Sequence, residues 1–340
     1  MRVTLDGYEP WWFELGNCLH SSVAAVLRAR GVAPLPALGA HWGFRYRPGD
    51  ARREEYYLPL PRCRSLVGAL LPYHPVRSTW HEPGDEQQAW EQVREQIRDG
   101  GAAVVAVDNF HLPFRPAYHD VHSNHLVVVH GFDDRTNQAL VLDAVPPVFH
   151  DWLDLKHLDA ARGSTNVGAH RRDMFFADVP VGRRWFDVAV DGPVRDDPAR
   201  DVPEALRRNV AGFAADDPFG EQVGIAGLSA FLTDSADRHE AGVAGVVDEL
   251  FTVAGPHLAS TALHAAHLRR AGRAREEPRW RELARHVDRV AHHWSALRIT
   301  AAAARGEPRQ APLLRRRARA LVSDLTIAVE ECADVADRAQ

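Results

Sequence analysis

Apolar residues fall in two different rhythms along this chain. Up to about residue 190, short apolar runs alternate with amphipathic stretches; beyond about residue 204, apolar residues recur at three- and four-residue steps. In the first region Val23-Ala24-Ala25-Val26-Leu27 predicts a helix from Cys18 to Arg30, ended by Gly31. Gln87 to Arg98 predicts a second helix, closed by Gly100-Gly101. The β-branched run Ala102 to Asp108 predicts a buried strand. His125 to Phe132 and Ala139 to Asp143 predict a hairpin about the polar turn Asp133 to Gln138. Met174-Phe175-Phe176 and Trp185 to Val190 predict later strands. Asp191 to Pro203, rich in Asp, Pro and Arg, predicts a linker. After it, Leu228–Leu232, Ala241–Val253, Thr261–Ala271, Trp280–Leu297 and Leu313–Ala336 predict helices. The expected layout is an α+β domain over 1–190, a linker over 191–203 and an all-helical domain over 204–340. No internal repeat or low-complexity tract interrupts it.

Composition narrows the function classes. A chain of 340 residues can bury a sizeable core in two domains, and a net charge of −5 offers no footprint for nucleic acid. The cluster Arg315-Arg316-Arg317 reads as the solvated face of a helix. No apolar run approaches the roughly 18 residues of a spanning helix, and Met1 to Gly7 has no secretory pattern. The three cysteines, Cys18, Cys63 and Cys332, are widely spaced and form no CxxC or disulfide framework. A cytoplasmic protein with reduced thiols and no membrane or nucleic-acid partner is expected.

Cys18 stands where a loop turns into a helix, and the N–H groups and positive end of a helix lower a thiol's pKa. The hairpin supplies a matching base. A turn centred near Arg135 pairs residues whose numbers sum to about 270, which puts Asp143 one diagonal step from His125 on the same face. A carboxylate there would fix the imidazole tautomer and stabilise the imidazolium. A slip of one residue would send the two to opposite faces, so the pair requires an even register. The order of Cys on a helix, then His, then Asp on strands, is that of papain-like enzymes.

Four stretches carry a more specific likeness: Gly16-Asn17-Cys18, Gly43-Phe44-Arg45-Tyr46, Val107 to Phe114, and Tyr118 through His122 to the strand His125–Asp133, completed by Leu142-Asp143. With these, residues 10–190 resemble the butirosin biosynthesis protein H N-terminal family, itself related to bacteriocin-processing papain-like peptidases. Gly224 to Leu228 resembles the start of the helical domain that often follows it. The resemblance implies a papain-like fold and acyl transfer from a carrier-protein phosphopantetheine thioester to an amine, in bacterial natural-product biosynthesis. It implies Cys18 as nucleophile, His125 as general base and Asp143 as the acid that orients it. An acyl or peptidyl carrier protein and a small-molecule amine acceptor are the implied partners, with no bound cofactor beyond the donor's phosphopantetheine arm. The peptidases place an oxyanion-hole Gln shortly before the Cys. Here Glu9 to Gly16 contains none, so Asn17, the Cys18 N–H or another donor would serve, which suits an activated thioester better than an amide.

Other residues have plainer readings beside the chemical ones. Tyr46 and Tyr118 would line an acyl pocket or simply fill core. Asp108, at a strand end, would hold a substrate ammonium or cap the next loop. Cys63, between two arginines, lacks an associated His–Asp pair, and Cys332 reads as helix packing. His111, His119, His122, His125 and His130 form a strip without the spacing of a closed metal site, so no metal is expected. His130 is out of phase with His125, and His20 should point away from the thiol. Two rival functions remain open: a thioesterase or cyclase using the same three residues, and a non-enzymatic peptidase-like binding module. A homodimer also stays open.

Overall fold

The computed structural model describes residues 1–52, 54–60, 65–165, 180–194, 198–215 and 220–338. The chain forms two compact units. One comprises Met1–Pro34, Arg53–Tyr56 and Leu60–Val194; the other comprises Leu35–Arg52, Tyr57–Pro59 and Arg195–Gln340. Residues 35–52 and 57–59, expected in the first domain, thus belong to the second. Aromatic packing accounts for this. Trp42 meets Phe213 edge-on, Phe44 packs on His257 and Trp294, and Tyr46 packs on Phe231.

The first unit is built on a seven-stranded antiparallel sheet. Its strands are β1 (Arg2–Thr4), β2 (Trp80–His81), β3 (Ala103–Asp108), β4 (Asn124–Asp133), β5 (Gln138–Asp143), β6 (Phe149–Asp154) and β7 (Trp185–Phe186). The spatial order is β2-β7-β3-β4-β5-β6, and β1 also pairs with β4. The strand expected over Trp185 to Val190 is broken, with Ala189–Val190 pairing outside this sheet. The strand expected at Met174-Phe175-Phe176 lies outside the described residues.

The longer helices of the first unit are α1 (Cys18–Ala29), α2 (Glu86–Arg98) and α3 (Leu155–Arg162). α2 begins where the Asp85 carboxylate accepts the Gln88 N–H at 2.8 Å. It buries Ala89, Val93 and Ile97 at four-residue steps, and Gly100 turns the chain at φ +83° beyond its end. Val93 and Ile97 share one core with Val105, Val127, Val129 and Val141 of the sheet and with Leu158 of α3.

The β4–β5 register decides where the hairpin side chains point. Near the turn Asp133 pairs with Gln138 and Gly131 with Leu140, so the numbers sum to 271. Beyond a bulge at His130, Val129 pairs with Val141 and Val128 with Leu142, so they sum to 270. The next step sets Asp143 opposite Val127, on the face His125 shares. Without the extra residue Asp143 would oppose Val128 and point away. Gly131 fits beside the bulge because a Cβ there would lie 2.9 Å from the Val3 carbonyl oxygen of β1.

The second unit contains α4 (Pro198–Ala214), α5 (Gly224–Glu240), α6 (Val246–Ala274), α7 (Pro278–Ala303) and α8 (Ala311–Asp337). Helix α4 starts inside the expected 191–203 linker and carries Pro203 in its interior. The two helices expected over Ala241–Val253 and Thr261–Ala271 are one helix of 29 residues that runs through Pro256. Pro256 and its neighbours Val253, Ala254, His257, Leu258 and Ala259 are all buried. That packing overrides the local cost of a proline.

Candidate active site

Cys18 is the first residue of α1, and the helix starts there because of Asn17. Asn17 has extended backbone, and its Oδ1 accepts the N–H groups of Leu19 and His20 at 3.1 and 3.3 Å. Its Nδ2 donates to the Glu55 carbonyl at 3.2 Å, which ties the segment around Glu55 to the helix start. The carboxamide proposed to contact substrate is therefore committed to the fold. His20 closes the cap with Nδ1 2.8 Å from Asn17 Oδ1, and burial pushes its pKa down to about 4.

His125 and Asp143 meet as the shifted register dictates. His125 Nε2–H donates to Asp143 Oδ2 at 2.9 Å, and both side chains are buried. Asp143 also accepts the Val145 N–H at 3.0 Å and Arg115 Nη1–H at 3.3 Å, while Arg115 donates to the Val145 carbonyl at 2.9 Å. Three donors thus hold the carboxylate in place and fix the tautomer that leaves His125 Nδ1 as an acceptor. That Nδ1 has no nitrogen or oxygen hydrogen-bond partner among the described residues. It faces Glu55, 3.8 Å away, and the sulfur of Cys18. Donor atoms of Cys18, Glu55 and His125 all lie within 4.8 Å of one another.

The electrostatics run against one expectation. Burial pushes the Cys18 thiol above its ordinary value; His125 pulls it back, and Glu55 adds to the rise. The helix N-terminus does not make this thiol acidic, because Cys18 is only 1% exposed and a thiolate there is desolvated. For His125, burial alone would depress the pKa. The charge of Asp143 and its hydrogen bond, with the facing Cys18 sulfur, outweigh it and raise the imidazole well above its usual value.

Two residues of the site escaped sequence reasoning. Glu55 is held by its neighbours: Glu54 pairs with Arg184 at 2.5 Å, and Arg184 also donates to the buried Tyr56 hydroxyl at 3.1 Å. Arg115 stands alone in a loop. No periodicity or motif marks either residue; the Arg-Arg-Glu-Glu run at 52–55 looks like solvated loop.

The other candidates do not join the cluster. Asp108 is fully buried and accepts from Phe110 N–H, Ser123 N–H and Ser164 Oγ–H. It also lies 2.6 Å from His122 Nδ1, so it organises the loop and has no oxygen left for a substrate ammonium. Tyr118 stacks on His119 and meets His157 edge-on. Tyr46 belongs to the second unit, where its hydroxyl bonds to Glu249. His130 points to the Leu5 carbonyl and His150 instead of Asp143. Cys332 is buried in α8 and burial raises its pKa; Cys63 lies outside the described residues. No helix among the described residues is long and apolar enough to cross a membrane.

A family model described as butirosin biosynthesis protein H, N-terminal, matches residues 17–144. The match begins one residue before Cys18 and ends one residue after Asp143. No curated protein matches the chain.

Proposed function

We propose that this protein is a cysteine-dependent acyltransferase, a reading supported by the match of residues 17–144 to the butirosin biosynthesis protein H N-terminal family model, which points to acyltransferase-type biosynthetic chemistry. In this reading it takes an acyl, aminoacyl or peptidyl group from a carrier-protein phosphopantetheine thioester, holds it on Cys18 and delivers it to an amine. The observation that carries the reading is the buried Asp143–His125 hydrogen bond with His125 Nδ1 turned toward Cys18.

The steps follow from that geometry. His125 Nδ1 takes the thiol proton as Cys18 Sγ attacks the thioester carbonyl. The tetrahedral intermediate collapses, and the pantetheine thiolate leaves with the proton from His125. The amine then attacks the Cys18 thioester, His125 Nδ1 accepts the amine proton, and the Cys18 sulfur leaves and is reprotonated. Asp143 holds the imidazole orientation and stabilises the imidazolium at both stages. With the Leu19 and His20 N–H groups engaged by Asn17, the Cys18 N–H is the first-turn donor assigned to the oxyanion. With the thiol pKa raised, the nucleophile forms by transfer to the neutral imidazole during attack, and Asp143 makes that ring the stronger base.

Purified protein, a carrier protein loaded with an aminoacyl thioester, and a panel of amines provide the test. Amide formation that needs both amine and Cys18 supports transfer. Release of free acid at a rate independent of amine would identify a thioesterase instead. No turnover with any loaded carrier would overturn both enzyme readings.

A further inference from the structure

We propose that Cys18, His125 and Glu55 form a site for a borderline-soft divalent cation of the zinc class, which caps the thiol and holds the protein in a resting state. The binding claim stands on geometry; its inhibitory consequence rests on the reading of Cys18 as nucleophile.

Four observations support it. First, the thiol sulfur, an imidazole nitrogen and a carboxylate oxygen converge within 4.8 Å, and the nitrogen–carboxylate separation is 3.8 Å. Tetrahedral zinc holds its ligands roughly 3.2–3.8 Å apart, so closure requires a shift of about 1 Å. Glu55, with its side chain 32% exposed, has room to make it. Second, His125 Nδ1 is buried with no nitrogen or oxygen partner and faces the Cys18 sulfur, so a cation there competes only with the protons of these two groups. Third, His125 donates its other ring N–H to Asp143 at 2.9 Å, the carboxylate–histidine arrangement that orients metal-binding imidazoles. Arg115 and the Val145 N–H hold that carboxylate in turn. Fourth, the S, N, O donor set suits zinc and disfavours magnesium or calcium, which prefer oxygen alone.

Three protein ligands leave a fourth position for water. Binding replaces the thiol proton, and any proton on His125 Nδ1, with the cation. Those protons go to solvent and no electrons are exchanged. The cation takes the same sulfur and nitrogen lone pairs that the acyl-transfer steps use, so a capped protein cannot be acylated.

The test uses the full chain, stripped with a chelator and titrated with Co²⁺ as a spectroscopic probe for zinc. One equivalent should bind, with tetrahedral visible bands and a thiolate-to-cobalt charge-transfer band, and Zn²⁺ should displace it. Cys18→Ser should abolish the charge-transfer band. Glu55→Gln and Asp143→Asn should weaken binding about 10–100-fold. Cys63→Ser should leave it unchanged. Absence of saturable binding, an unaltered charge-transfer band in Cys18→Ser, or wild-type affinity in Glu55→Gln would overturn the site. In parallel, Zn²⁺ should block acylation of Cys18 by a small acyl thioester, and chelator should restore it. Cobalt binding without any acylation of the metal-free protein would keep the site and sink the acyltransferase reading. Acylation without cobalt binding would do the reverse.

Discussion

The buried histidines of the second unit and His125 of the first are set to opposite states by their surroundings. In the second unit His257 donates Nδ1–H to the Val253 carbonyl at 2.7 Å and accepts the Arg45 N–H on Nε2 at 3.3 Å. One donor and one acceptor satisfy a neutral ring, and Phe44 and Trp294 pack against it. Burial pushes its pKa down to about 4. His264 donates to the Gly39 carbonyl at 2.8 Å, stacks on Trp42 and falls to about 3. His41, beside these two and Arg45, falls to about 4, again chiefly through burial. His125 in the first unit is equally buried, yet its pKa rises, because a carboxylate takes the place of a carbonyl. Burial alone makes a histidine a core residue; one buried acid makes it a base.

The largest effect should come from dismantling that contrast at the site. Cys18→Ser or His125→Ala should reduce turnover by about 10⁴-fold or more, since residues of one catalytic unit fail together. Asp143→Asn keeps the shape but removes the charge, and should reduce it by about 10²–10⁴-fold. In that variant His125 should titrate below its ordinary 6.5 like His257, as followed by NMR of the imidazole protons. An unchanged titration would mean that Asp143 does not set the His125 charge.

The thiol supplies a second, signed test. His125 lowers the Cys18 pKa and Glu55 raises it. The alkylation midpoint of Cys18 should therefore lie above the ordinary thiol value, move higher in His125→Ala and move lower in Glu55→Gln. Shifts of the same sign in both variants would contradict this electrostatic account.

Stability should depend on pH in opposite senses for the depressed histidines and for His125. Histidines with depressed folded values add stability above the unfolded value of about 6.5, and it is lost as pH falls from 6.5 toward 4. Each is worth on the order of 3 kcal/mol over that window. His125 does the reverse: its contribution is complete below pH 6.5 and is lost as pH rises through its elevated folded value. Urea unfolding of wild type and His264→Asn at pH 7 and pH 5 checks the acid side. The variant should lose less stability than wild type between the two. The smallest effect belongs to the cap: Asn17→Ala should cost about 1 kcal/mol in the same assay.

What the sequence made legible was local. The polar Asn17 ahead of an apolar run marks the start of α1, and short apolar runs bounded by polar turns mark β3 to β5. The Cys–His–Asp order and the hairpin arithmetic lead to the residues that come together, but not to the device that aligns them. The His130 bulge is a single added residue in a strand whose pattern shows no interruption. Glu55, in a run of loop charges, and Arg115, alone in another loop, become visible only once distant segments meet. Residues 35–52 sit in the second unit because Trp42, Phe44 and Tyr46 find aromatic partners more than 160 positions away, which no window-based pattern records. Helices run through Pro203, expected at the end of a linker, and through Pro256, between two segments expected as separate helices.

The most direct test of the Cys18–His125 couple is covalent. Wild type, Cys18→Ser and His125→Ala would be incubated with a short acyl N-acetylcysteamine thioester, and the modified residue mapped by mass spectrometry. The account predicts a single acyl group on Cys18 in wild type, none in Cys18→Ser and at least about 10³-fold slower acylation in His125→Ala. An acyl group on another residue, or Cys18 acylated as fast without His125, would contradict it.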